Sequence, residues 1–94
     1  MSQENSVAGL IVKLEKLLEQ RYTRIFINSR FCFMKPTGEV FSVQQFLGED
    51  AIVVEYADSC AEAALNRFED GDRHYPVGMT EETLIQSILR EIEQ

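Results

Sequence analysis

Apolar residues recur at three- and four-residue spacing near the start of the chain. Val7, Leu10, Ile11, Leu14, Leu17 and Leu18 fall within roughly a third of a helical wheel. The spacing predicts an amphipathic helix over about 5–20, with Lys13, Glu15, Lys16 and Glu19 outside the stripe and Asn5 or Ser6 placed to cap its first turn. From Arg21 the period shortens to two. Tyr22, Thr23, Ile25, Phe26 and Ile27 supply the β-branched and aromatic side chains of a strand, and Asn28-Ser29 interrupts it as a turn or bulge.

The next break is Pro36-Thr37-Gly38. Proline presets the first turn angle and glycine can take the left-handed position that closes a three-residue hairpin. This loop predicts a register in which Lys35 faces Glu39, Phe33 faces Phe41 and Phe31 faces Val43, with Cys32, Met34, Val40 and Ser42 on the other face. Each such cross-strand pair contributes about 0.2–1 kcal/mol, so three aligned pairs favour this register over a slip.

Gln44 to Leu47 is ambiguous, and Gly48-Glu49-Asp50 reads as a turn before a strand from Ala51 to Tyr56 whose buried face holds Ile52, Val54 and Tyr56. Ser59 and Glu62 have capping-box spacing ahead of Ala61, Ala64, Leu65 and Phe68, which predicts a short helix from 60 to about 68. Glu69 to Gly78 reads as a charged loop. Thr80 then caps a last helix, with Glu81 and Glu82 at the favourable end of its dipole, Met79 set to staple onto Leu84, and Leu84, Ile85, Ile88, Leu89 and Ile92 facing inward. The expected architecture is α+β over residues 1–94 as a single domain, with residues 1–4 disordered. An N-terminal amphipathic helix, an antiparallel meander of three to four strands and two C-terminal helices packed on the sheet bury these stripes together.

Composition supports a folded chain. Hydrophobic residues make up 45% of the 94 positions, too many for intrinsic disorder despite a net charge of −7. Cys32 and Cys60 lack any close pairing spacing, and the N-terminal residues lack both a basic leader and a long apolar run. The expectation is a soluble cytoplasmic protein with free thiols and no membrane partner. Charge is divided along the chain. Residues 1–35 hold all three lysines and net +3, whereas residues 36–94 net −10.

Three groups of residues could carry chemistry. Glu69, Asp70, Asp72, Arg73, His74 and Tyr75 place the only histidine beside three carboxylates, as a cation or substrate site would. Counted from Asp70, Glu81 stands at the twelfth position of a calcium loop, but glycine arrives too early and Asp72 is the sole intermediate ligand. His74 and Cys60 have no nucleophile or base signature around them, so no enzyme activity, metal or cofactor is expected. Arg21, Tyr22, Arg24 and Arg30, with Phe26, Phe31, Phe33 and Lys35, interleave basic and aromatic side chains as a single-stranded nucleic-acid face would. That run lacks the glycines of RNA-recognition strands, and a helix-covered aromatic core accounts for it more simply.

The third group is the acidic second half, whose field repels nucleic acid and speeds encounter with basic protein patches. The leading expectation is therefore a non-enzymatic interaction or regulatory module of the adaptor, inhibitor or immunity type, with a basic protein partner. Self-association through a sheet edge or the last helix is a further expectation. Nucleic-acid binding through 21–35 is the alternative, and ligand or metal binding by 69–76 the third reading.

Overall fold

A computed structural model describes residues 7–46, 48 and 50–94. The elements run α1 (Val7–Leu18), β1 (Thr23–Ile27), β2 (Arg30–Met34), β3 (Val40–Phe46), β4 (Ala51–Ala57), α2 (Cys60–Ala64), β5 (Glu69–His74) and α3 (Glu81–Ile92). The strands form one antiparallel sheet in the order β1-β2-β3-β4-β5. The α+β class holds, but the sheet has five strands where three to four were expected. Glu69–His74, expected as loop, pairs along β4 with His74 opposite Ile52, Arg73 opposite Val53, Asp70 opposite Glu55 and Glu69 opposite Tyr56. The register shifts between Val53 and Glu55, so Gly71 and Asp72 together oppose Val54 as a bulge.

Turn chemistry sets the meander. Asn28 and Ser29 have φ of 50° and 67°, the left-handed pair that joins β1 to β2 in a two-residue hairpin. Gly38, at φ 98°, closes the next hairpin, in which Phe33 stands opposite Phe41 and Met34 opposite Val40 as the loop predicts. Lys35 pairs with Glu39 at 2.8 Å. The ladder between β2 and β3 consists of the Phe33–Phe41 and Met34–Val40 pairs, and the expected pairing of Phe31 with Val43 is not among them. Phe31 is 42% exposed and lies edge-on to Phe26 with ring centroids 5.1 Å apart.

Alternation then divides the side chains between two faces. On one, Phe33, Phe41, Val43, Ile52 and Val54 pack against Leu10, Leu14 and Leu18 of α1 and Leu84, Ile88 and Ile92 of α3. On the other, Cys32, Val40 and Ala57 pack against Ala63 of α2, flanked by Ile25, Ile27, Met34 and Phe68. The last two helices therefore lie on opposite faces of the sheet.

Helix α2 ends at Ala64, short of the expected 68, because Asn66 turns left-handed at φ 60°. Asn28 donates its side-chain amide to the Ala64 carbonyl at 2.8 Å, which satisfies an orphan group of that helix end from the β1–β2 turn. Leu65, expected on the inward stripe, is 61% exposed as a result. In α1 the buried stripe is narrower than predicted, since Leu17 is 38% exposed. The expected Asn5 or Ser6 cap, the disorder of 1–4, and Leu47 and Glu49 lie outside the described residues. No helix among the described residues is long and apolar enough to cross a membrane.

Phe41 is fully buried and its ring meets those of Tyr22, Phe33 and Tyr56 at 5.1, 5.6 and 6.4 Å. Phe41→Ala is expected to lower the unfolding free energy by about 3–5 kcal/mol. Leu17→Ala is expected to cost less than about 1 kcal/mol. Urea unfolding of both variants measures the contrast.

Candidate functional site

Strand β5 has the sequence Glu-Asp-Gly-Asp-Arg-His, without one apolar side chain. Besides its backbone ladder with β4, it is anchored through His74, which faces the α1–α3 side opposite Ile52. Glu91, near the end of α3, accepts a hydrogen bond from the Tyr56 hydroxyl at 2.5 Å, and its other oxygen lies 2.6 Å from His74 Nε2. The His74 and Glu91 side chains are only 12% and 13% exposed. One carboxylate thus ties α3 to β4 and β5 together.

Burial pushes the Tyr56 hydroxyl well above its ordinary pKa, reinforced by its hydrogen bond to Glu91 and by the negative charges of Glu91, Glu39 and Asp72. The phenol stays neutral and serves as a donor. Gly71 lies against this network. A Cβ there would meet the Glu91 carboxylate, Tyr56 Cε2 at 2.9 Å and the Val54 carbonyl at 3.0 Å. Glycine is needed at the bulge so that β5 can approach so closely. Beside it lies a shallow depression of about 320 Å³ whose rim includes Lys35, Glu39, Asp72 and Gln94.

The residues expected to form one loop site are brought onto one strand but divided between its faces. Glu69, Asp72 and His74 fall on the α1–α3 side, and Asp70 and Arg73 on the α2 side. His74 engages Glu91 and not a neighbouring aspartate. The Arg73 guanidinium lies 4.2 Å over the Phe46 ring, and Tyr75 follows the strand, 46% exposed. Among the described residues, no group of three or more histidine, cysteine or acidic side chains is arranged to hold a metal ion. Cys60 is exposed with its sulfur 3.9 Å from that of Met34, while burial pushes the Cys32 thiol up.

The bridge through Tyr56 and Glu91 is not among the expected groups. Glu91 had a readable signal, because it lies three residues after Ile88 and seven after Leu84, a carboxylate within the apolar stripe of α3.

The basic segment is engaged throughout. Arg21 pairs with Glu93 at 2.9 Å, Arg24 with Glu19 at 2.6 Å and Arg30 with Glu55 at 2.5 Å. Arg24 also lies 4.2 Å over Phe31 and Arg30 4.5 Å over Phe68. Tyr22 is half-buried edge-on against Phe41. The Glu15 carboxyl is pushed up by burial against the opposing pull of Arg24. By contrast, Asp58, Glu69, Asp70 and Asp72 are exposed and enter no ion pair among the described residues.

Two measurements test the anchor. Gly71→Ala is expected to displace Glu91 and cost about 1–3 kcal/mol of stability. Because the folded state holds the Tyr56 proton more tightly than the unfolded chain, its contribution is fully present below the unfolded pKa near 10.0 and is lost as pH rises beyond it. The urea midpoint of the native chain should therefore fall more steeply with alkaline pH than that of Tyr56→Phe. Comparison of the chain with protein-family models, with characterised proteins and with solved structures finds no match.

Proposed function

We propose that the chain is a non-catalytic protein-interaction module, of the adaptor, inhibitor or immunity type, whose edge strand β5 receives a basic extended segment of a partner protein. The observation that carries this reading is the concentration of exposed carboxylates that enter no ion pair among the described residues, at Glu69, Asp70 and Asp72 with Asp58 nearby, on a strand at the border of the sheet. An edge strand presents unpaired backbone N–H and C=O groups that can accept another strand, and charged side chains decide which strand is admitted. Carboxylates on both faces of β5 attract alternating lysines or arginines and repel acidic or phosphate-bearing chains.

The nucleic-acid alternative has less support. A phosphate reaching Arg21, Arg24 or Arg30 would have to displace the carboxylate each one holds. The two free thiols fit a reducing compartment, so the proposal locates the interaction in the cytoplasm.

The test is a titration with a strand-forming peptide that alternates lysine with threonine. Affinity should fall as salt rises, and the combined variant Glu69→Gln, Asp70→Asn, Asp72→Asn should bind at least about tenfold more weakly, a loss of about 1.4 kcal/mol. Equal affinity of the neutralised variant would overturn the proposal. Binding of a single-stranded oligonucleotide that depends on Arg24 and Arg30 would establish the alternative in its place.

A further inference from the structure

The opposite border of the sheet has the contrary character. Strand β1, Thr-Arg-Ile-Phe-Ile, is the other edge, and Phe26 on it is 63% exposed. It lies in the longest stretch of the chain without an acidic residue, Gln20 to Gly38. Its one charge, Arg24, is already balanced by Glu19. In a molecule of net charge −7, this is where a second copy can approach with least repulsion.

The pairing of β1 with β2 determines which of its groups face outward. In a two-residue hairpin the residues flanking the turn exchange both backbone hydrogen bonds, and such pairs alternate along the ladder. Ile27 opposite Arg30, Ile25 opposite Cys32 and Thr23 opposite Met34 are therefore bonded inward. Arg24 and Phe26 direct their N–H and C=O groups to the free edge.

We propose that two copies of the chain pair antiparallel through β1, about a two-fold axis at Ile25. Arg24 then stands opposite Phe26 of the second copy, and Phe26 opposite its Arg24, each pair exchanging both backbone bonds. The sequence about Ile25 is self-complementary in this register, as a two-fold interface requires. On the face that α1 and α3 share, the guanidinium of one copy meets the exposed phenyl ring of the other, the same cation–π contact that Arg24 makes with Phe31 within one chain at 4.2 Å. Phe31, 5.1 Å from Phe26, extends the aromatic strip on both sides of the seam. Edge β5 cannot pair with itself in this way, because its carboxylates would stand against one another. The inference is independent of the function proposed for β5.

Sedimentation over a concentration series tests the dimer in the full chain. The mass should rise towards twice the monomer's with concentration, and more readily at higher salt, which screens the repulsion between copies. This is the opposite salt dependence to that of a basic peptide on β5. Phe26 lies outside both packed clusters, so Phe26→Glu should fold normally and raise the dissociation constant at least about tenfold. Amide hydrogen exchange at Arg24 and Phe26 should slow as concentration increases. A monomer at every concentration, a dimer that Phe26→Glu leaves intact, or exchange at these two amides that ignores concentration would each overturn the proposal.

Discussion

The Glu91 carboxylate joins the last helix to the one strand that has no apolar side chain of its own. Strand β5 cannot be fastened by an apolar stripe, so the ladder with β4, the His74–Glu91–Tyr56 bridge and the Arg73 guanidinium over Phe46 help to hold it in the sheet. A carboxylate buried to this degree would be costly alone. Here both oxygens are engaged, one by a phenol that burial and nearby negative charge keep neutral. The same bridge needs a glycine at the bulge, because any side chain at position 71 would occupy the space of Glu91.

Folding brings the basic residues of the first half against acidic residues from distant parts of the chain, Arg21 with Glu93 and Lys13 with Glu81 among them. These exposed pairs add little stability, typically under about 1 kcal/mol each, but they neutralise the basic surface. Glu69, Asp70 and Asp72, on the far border of the sheet, enter no ion pair among the described residues. The two borders therefore differ in kind, one neutral and apolar, the other acidic.

Local patterning revealed much of this fold. The Pro36-Thr37-Gly38 turn and the alternation around it placed Phe33 opposite Phe41, and the stripes of α1 and α3 marked their buried faces apart from Leu17. Strand β5 was not legible, because a strand is read from alternating apolar residues and Glu69–His74 has none. The length of α2 was misjudged for a related reason. Leu65 and Phe68 continue a helical spacing, but the left-handed turn at Asn66 sends Leu65 into solvent and returns Phe68 to the second face of the sheet. The partners of Arg21 and Arg30 were hidden as well. Arg30 and Glu55 meet only across the sheet, and Arg21 and Glu93 only when the last helix packs.

Strand β5 is an ordered edge strand, proposed also to be the surface on which a basic segment docks. Amide chemical shifts recorded while an alternating lysine–threonine peptide is added test it most directly. The account predicts strand-like shifts for Glu69–His74 in the free protein and peptide-induced changes concentrated at Glu69 to Asp72 and the neighbouring Asp58. Random-coil shifts along that segment, or changes centred on residues 21–35, would contradict it.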